Sequence, residues 1–210
     1  MGCVSCVLRL VYVPEKKGVL HMAETFTASP RLIQAINIAA WAHRGHVRKG
    51  TEIPYVSHVF GVMHLLSQVT DDEDVLIAGL FHDILEDVPE EYSAEQMEQD
   101  FGPRVVTLVQ GVTKDDALSG WQERADAYLA HLEQAEEGSV LVSAADKLHN
   151  LLSILADHQA IGEELWLRFN SGKERQQWWY GAIYQVAQQR LPGNALVEEL
   201  GFRVRELRAL

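Results

Sequence analysis

The sequence predicts an all-α fold, and three features of its 210 residues indicate it. Apolar residues recur every three or four positions along most segments, which is the period of a helix that is buried on one face. Residues that favour helix starts and residues that favour helix ends alternate along the chain. No convincing run shows the strict apolar–polar alternation of a half-buried strand. We therefore expect a single bundle of about ten helices without internal repeats.

Capping residues bound the predicted helices. Ser29-Pro30 combines an N-cap with a proline that the first turn tolerates. Asp71-Asp72 caps the third helix, and Ser93 with Gln96 three residues later forms a capping box for the fourth. Pro192-Gly193 separates the last two helices. The ten expected helices span residues 31–46, 57–68, 73–88, 93–101, 104–112, 121–136, 139–157, 163–169, 173–189 and 195–207.

The composition narrows the classes of function. Hydrophobic residues make up 47% and charged residues 23%, as in globular proteins, and the apolar runs are too short to span a membrane. The net charge of −12 disfavours nucleic acid as a partner, because such a surface repels the phosphate backbone. A small anionic substrate remains compatible, since a metal ion and a few basic residues can make one pocket locally positive.

The N-terminal residues 1–21 differ from the rest of the chain. They contain both cysteines, Cys3 and Cys6, whose single C-x-x-C lacks the second pair of a structural zinc site. An apolar run precedes Lys16-Lys17, which is the reverse of the order in a secretory signal. We therefore treat residues 1–21 as an extension of unknown role and residues 22–210 as the domain. The cysteine-free remainder is typical of a reducing compartment, so we expect a cytoplasmic protein.

Polar and ionisable residues interrupt three otherwise apolar helices. These residues are His58 in the second helix, His82, Asp83, Glu86 and Asp87 in the third, and Asp146, Asn150 and Ser153 in the seventh. Along a continuous third helix, His82 and Glu86 would share one face, as would Asp83 and Asp87. Each residue alone is more often a paired core residue or a surface charge. Together they indicate a bound cation, because buried charges are costly unless they are compensated.

The types of donor narrow the choice of cation. Two imidazoles and two carboxylates suit Mn²⁺, Fe²⁺ or Zn²⁺ better than Ca²⁺ or Mg²⁺, which prefer shells of oxygen alone. Such a metal acidifies its water and polarises a phosphoryl oxygen. Glu86 and Asp87 would then orient or deprotonate that water.

Four segments, read in order, resemble a known family. They are AHRGHVRKGTEIPYVSH, AGLFHDILEDV, FGPRVVTLVQGVTK and LVSAADKLHNLLSIL, at residues 42–58, 78–88, 101–114 and 141–155. They are similar to the HD superfamily of metal-dependent phosphohydrolases, and within it to the hydrolase domain of the RelA/SpoT alarmone enzymes and the small stand-alone alarmone hydrolases. The resemblance is good over residues 30–160 and looser over 160–207.

The resemblance implies a bundle of about ten helices around one metal, usually Mn²⁺. It implies hydrolysis of the 3′-pyrophosphate of ppGpp or pppGpp to give GDP or GTP and pyrophosphate. The matched positions are His58, His82, Asp83 and Asp146 as metal ligands, Glu86 and Asp87 as the catalytic acidic pair, Arg48 and Lys49 as a basic pair facing the nucleotide, and Asn150 and Ser153 as polar residues of its pocket. We add Lys173, with Arg168, as a candidate phosphate contact near the C-terminus.

Two departures from the family pattern keep other functions open. The loop 48–58 is one residue longer than in the RelA/SpoT form, and Leu152 stands where those enzymes often carry Arg. An HD phosphohydrolase of another nucleotide, such as a deoxynucleotide, a nucleoside monophosphate or NADPH, is the first alternative. A non-catalytic nucleotide-binding module is the second. The sequence leaves open the oligomeric state and whether the polar segment 114–120 forms a lid.

Overall fold

The computed structural model describes residues 29–114 and 117–210. The expected extension 1–21 lies outside these residues, so its boundary stays a prediction. The polar segment 114–120 is described only in part, so its role as a lid also stays a prediction. Within the described residues the only β-type pairing is an isolated bridge between Val47 and Pro54.

The described chain is all-α, as expected. It forms ten α-helices and one 3₁₀ helix, which joins α8 to α9. The helices are α1 Pro30–Ala42, α2 Val56–Leu66, α3 Glu73–Phe81, α4 Ile84–Asp87, α5 Ala94–Phe101, α6 Pro103–Gln110, α7 Trp121–Gln134, α8 Glu137–Ile161, the 3₁₀ helix Gly162–Arg168, α9 Gly172–Arg190 and α10 Ala195–Ala209.

Several helix starts follow the capping signals of the sequence. The Ser29 hydroxyl accepts a hydrogen bond from the Leu32 amide, and Asp72 accepts one from Asp74. Ser93 and Gln96 form the expected capping box. These contacts satisfy amide groups that the first turn of a helix leaves without partners.

Helix α8 lies at the centre of the bundle. It packs against α2, α3, α9, α10 and the 3₁₀ helix, with smaller contacts to α6 and α7. Ten consecutive residues of α8, 139–148, are buried, including Asp146 and Lys147. The polar side chains within this buried stretch must find their partners inside the protein. No described helix is long and apolar enough to cross a membrane.

The third expected helix is interrupted, which corrects the continuous helix of residues 73–88. The His82 Nδ1 atom lies 2.8 Å from the Gly79 carbonyl oxygen. In a continuous helix that carbonyl would accept from the Asp83 amide. The imidazole takes this acceptor, so α3 ends at Phe81 and α4 begins at Ile84. The Asp87 amide still donates to the Asp83 carbonyl oxygen over 2.8 Å, so these two residues keep the spacing of one helical turn.

A second difference lies after α8. Gly162 adopts a φ of 61°, which ends the α-helix in the left-handed region that glycine tolerates. The next residues form a seven-residue 3₁₀ helix rather than the expected α-helix. This tighter helix places Leu165 and Trp166 in the core and Arg168 at a cavity.

Candidate metal centre and adjoining cavity

Four predicted ligands meet where α2, α8 and the α3–α4 junction converge. His58 Nε2 lies 3.2 Å from Asp146 Oδ1, 3.5 Å from Asp83 Oδ2 and 3.3 Å from His82 Nε2. His82 Nε2 lies 3.0 Å from Asp83 Oδ2 and 3.7 Å from Asp146 Oδ1. Donor atoms that share one ion at about 2.1 Å are themselves about 3.0–3.4 Å apart in tetrahedral or octahedral geometry. The spacing of His58, His82 and Asp83 therefore fits a divalent metal ion, and Asp146 Oδ1 lies within 3.7 Å of both imidazoles.

The protonation of His82 also fits a metal ligand. Its Nδ1 atom donates to the Gly79 carbonyl, so the neutral ring carries its lone pair on Nε2, the atom that faces the cluster. Burial opposes a charge on this ring, but Asp83 and Asp146 outweigh burial and raise the pKa of His82 to about 10. The two carboxylates thus favour a positive charge at this point of the interior.

Further contacts hold both carboxylates in place. The Tyr55 hydroxyl donates to Asp83 Oδ2 over 2.5 Å. Lys147 forms a buried ion pair with Asp146 Oδ2, and Asn150 Nδ2 donates to Asp146 Oδ1 over 2.6 Å. Burial would raise the pKa of Asp146, but Lys147 and the two imidazoles hold that pKa well below its usual range. Both carboxylates are therefore ionised and available to a cation.

A cavity of about 950 Å³ adjoins the cluster. Two acidic residues, Glu86 and Asp157, line it. Six cationic residues also line it, and these are Arg48, Lys49, Lys114, Arg124, Lys147 and Arg168. On a chain with a net charge of −12, this local excess of positive charge favours the binding of an anion in the cavity.

Most of the predicted substrate contacts line this cavity. Arg48, Lys49, Asn150 and Ser153 are all part of its wall. Arg48 Nη2 donates to Asn150 Oδ1 over 2.8 Å, so the loop after α1 is joined to α8. Because Asn150 also donates to Asp146, one side chain links the loop to the metal cluster.

Lys173 is a correction to the expected contacts. It does not line the cavity. Its Nζ atom lies 2.9 Å from Glu163 Oε1 and 2.8 Å from the Leu210 carbonyl oxygen. Its ion pair with Glu163 and its hydrogen bond to Leu210 hold this side chain near the end of α10.

Only one of the two acidic residues of α4 lines the cavity. Glu86 lines the cavity, where Lys114 Nζ lies 2.6 Å from Glu86 Oε1. Asp87 is not part of the cavity wall, and its side chain reaches solvent. Desolvation by surrounding atoms, followed by the carboxylates of Asp83 and Glu86, raises the pKa of Asp87 to about 6.

Sequence reasoning missed several residues of the cavity. Lys114, Arg124 and Lys147 come from three separate elements, and none was singled out. Lys147 follows the predicted ligand Asp146 directly, which was the one available signal. The Lys147 ammonium also lies 5.7 Å from the Tyr128 ring centre and 5.8 Å from that of Trp179, which are distances of cation–π contacts.

Comparison with known proteins agrees with this geometry. A family model of the HD domain matches residues 35–165, which is more than half of the chain and includes all four clustered residues. The chain belongs to the HD-domain family. Within this family domain, His82-Asp83 is the His-Asp pair of the cluster.

Several curated relatives match more than half of the chain. The guanosine-3′,5′-bis(diphosphate) 3′-pyrophosphohydrolase MESH1 of Danio rerio is 39% identical over 124 residues, which are 57% of this HD-domain chain and 67% of the relative. The protein of the same name from Drosophila melanogaster is 39% identical over 59% of this chain and 69% of its own length. The bifunctional (p)ppGpp synthase/hydrolase SpoT of Escherichia coli K12 is 35% identical over 59% of this chain, but only 18% of that protein is matched.

Solved structures show the same fold. One, described as a metazoan ortholog of SpoT that hydrolyzes ppGpp, superposes with a TM-score of 0.70 and 31% identity over 89% of this chain and 100% of that one. A protein of Listeria monocytogenes EGD-e superposes with a TM-score of 0.65 and 26% identity over 73% of this chain and 99% of its own.

Proposed function

We propose that this HD-domain protein is a Mn²⁺-dependent hydrolase that removes the 3′-pyrophosphate of ppGpp or pppGpp and releases GDP or GTP. One observation carries the proposal: the cluster of His58, His82 and Asp83, with Asp146 beside both imidazoles, adjoins a cavity lined by six cationic side chains. A metal that acts on phosphorus and a pocket that binds several phosphates are thus adjacent. The names of the curated relatives supply the substrate.

His58, His82, Asp83 and Asp146 would hold the metal. When bound there, the metal supplies Lewis acidity, which makes a water molecule more nucleophilic and a phosphoryl oxygen more electrophilic. The mixed nitrogen and oxygen donors support Mn²⁺, with Fe²⁺ or Zn²⁺ as the other candidates. Tyr55, Lys147 and Asn150 keep the carboxylates oriented towards the shared point.

Glu86 would accept a proton from the attacking water. Its carboxylate lines the cavity, on the element that follows Asp83 directly. The water oxygen bonds to the phosphorus next to the ribose 3′ oxygen, and the bond between that phosphorus and the 3′ oxygen breaks. The 3′ oxygen then takes the proton that Glu86 accepted and leaves as the hydroxyl of GDP or GTP. Asp87, outside the cavity wall, would act through the field that it exerts on Glu86.

The cationic wall would hold the phosphates. Arg48 presents a planar guanidinium that can bind a phosphate by two hydrogen bonds or stack on a base, and Lys49 supplies a point charge. Asn150 and Ser153 offer polar groups to the nucleotide from α8. Positive charge along this wall would offset the charge that develops on the phosphoryl oxygens.

The experiment is a substrate panel with added Mn²⁺. Pyrophosphate and orthophosphate release is measured from ppGpp, deoxynucleotides, nucleoside monophosphates and NADPH. Pyrophosphate release from ppGpp, lost in the Asp83→Ala variant, is the expected result. Turnover of a different nucleotide in place of ppGpp would contradict the proposed substrate, but it would still agree with metal-dependent hydrolysis. Tight binding of nucleotides without any turnover would instead indicate a binding module.

Other properties stay predictions. The proposed binding partner is a small nucleotide, as the names of the relatives indicate for them. We expect that the protein uses neither nucleic acid nor a membrane as a partner. A cytoplasmic location fits the cysteine-free body of the chain.

A further inference from the structure

A third histidine lies beside the metal cluster, in the wall of the adjoining cavity. His149 is on α8, and its Nδ1 atom lies 3.0 Å from Nδ1 of the proposed ligand His58. The two rings are 4.8 Å apart between centres and meet edge to face. The sequence analysis assigned no role to His149.

The direction of this hydrogen bond follows from the proposed metal site. The Nε2 atom of His58 faces Asp83, Asp146 and His82, so it must offer its lone pair to a cation. A neutral imidazole has one proton, which must then be on Nδ1 of His58. That atom donates to Nδ1 of His149, which accepts. Metal-bound histidines are commonly fixed in this way through their second ring nitrogen.

A glycine makes room for this contact. Gly61 lies on α2, three residues after His58, and has no side chain where the His149 ring passes. A Cβ atom at Gly61 would lie closer to Cδ2 and Nε2 of His149 than real Cβ atoms lie to their neighbours. The close approach of α2 and α8 at Gly61 therefore sets the position of the His149 ring.

We propose that His149 is a positioning residue for the metal ligand His58, and that Gly61 provides the space in which His149 accepts the His58 proton. The proposal rests on the metal site of the proposed function. It assigns His149 no contact with the reacting phosphate.

The first test compares two substitutions of nearly equal size. His149→Leu removes the acceptor, whereas His149→Asn keeps an oxygen close to the place of Nδ1. Mn²⁺ affinity is measured by calorimetric titration of the metal alone, with His64→Asn, an exposed histidine of α2, as control. We expect His149→Leu to weaken Mn²⁺ binding by about 10–100-fold, and His149→Asn to restore most of the loss. Equal affinities for the Leu and Asn variants would overturn the proposal.

The second test uses the glycine. Gly61→Ala is expected to weaken Mn²⁺ binding about 10-fold or more, because the new methyl group displaces the His149 ring. Added to His149→Leu, where no imidazole remains to be displaced, the same change should have a much smaller effect. Gly45→Ala is the control, since a Cβ atom there meets nothing within 4 Å. Fully additive effects of the two substitutions would contradict a shared mechanism.

The metal site and the positioning role of His149 can be contradicted separately. If the unsubstituted protein does not bind Mn²⁺, Fe²⁺ or Zn²⁺, the metal site itself is wrong, and the role of His149 falls with it. If the unsubstituted protein binds Mn²⁺ and all His149 variants bind equally well, only the positioning role is wrong. Thermal unfolding without metal shows whether each variant is folded before its affinity is interpreted.

Discussion

Lys114 Nζ lies 2.6 Å from Glu86 Oε1, and both residues line the cavity beside the metal cluster. The contact joins the segment after α6 to α4. It places a positive charge next to the carboxylate that we propose as the proton acceptor. Since an ammonium group has three protons, Lys114 can bind Glu86 and a substrate phosphate together.

Lys114→Met should therefore weaken substrate binding. A hydrogen bond to a charged group is worth about 1.5–3 kcal/mol, so KM for ppGpp should rise about 10–100-fold. Lys114→Arg keeps the charge and should retain a KM within about threefold of the original, as it preserves most of that energy. Steady-state kinetics of the two variants checks this. An equal KM for Met and Arg at position 114 would rule out a role of the charge in binding.

Glu86→Gln should stop turnover but leave metal binding intact. The amide cannot accept the proton of the attacking water, so kcat should fall by about 10²–10⁴-fold. Glu86 is not part of the His58, His82 and Asp83 donor group, so the Mn²⁺ affinity should not change. Glu90→Gln, an exposed neighbour, is the control. A normal rate in Glu86→Gln would show that another group takes the proton.

A divalent metal should stabilise the folded protein. A ligand at 100 times its Kd adds about 2.7 kcal/mol to the free energy of unfolding, which corresponds to an increase in Tm of about 5–10 °C for a chain of this size. Thermal unfolding with Mn²⁺, and again after addition of a chelator, measures the effect. Asp146→Asn should abolish the shift because it removes a charged donor. A shift of equal size in this variant would place the stabilising ion elsewhere.

An ion-pair network between α3 and α6 should make stability depend on pH. Arg104 binds Asp72 at 2.7 Å and Asp74 at 3.1 Å. The hydrogen bond from Arg104 lowers the pKa of Asp72 in the folded protein, although burial opposes it. A lowered carboxyl pKa adds stability above the unfolded pKa of about 4, and the gain is lost as pH falls through the folded value.

Arg104→Met should accordingly lower the free energy of unfolding by about 1 kcal/mol or less near pH 7, because the pair is partly exposed. The difference from the unsubstituted protein should shrink as the pH falls below about 4. Urea unfolding at several pH values measures it, with Arg205→Met on the exposed side of α10 as control. A difference that stays constant down to pH 2 would show that Arg104 acts by packing rather than by charge.

Local sequence signals predicted most helices because their causes are local. Ser29, Asp72 and Ser93 cap helices by contacts within three residues, so the chain itself specifies them. The break at His82 was missed because it depends on a side chain that takes a main-chain acceptor from its own helix. Residue type and periodicity do not reveal such competition.

The sequence predicted some residues of the candidate site and not others, for a related reason. Ionisable residues inside apolar helices stand out in a sequence, which is why His58, His82-Asp83 and Asp146 could be proposed as metal ligands. Lys114, Arg124 and Lys147 are ordinary cations in their own segments, and only tertiary packing brings them to one cavity. Lys173 is the opposite case: it was expected near the phosphates, but an ion pair with Glu163 holds it outside the cavity wall.

Product analysis of ppGpp incubated with the protein and Mn²⁺ tests the central claim most directly. Chromatography of the mixture should show GDP and pyrophosphate in equal amounts, and neither product should form with Asp83→Ala or with a chelator present. Orthophosphate in place of pyrophosphate, or unchanged ppGpp under conditions in which another nucleotide is hydrolysed, would contradict the assignment of a 3′-pyrophosphohydrolase.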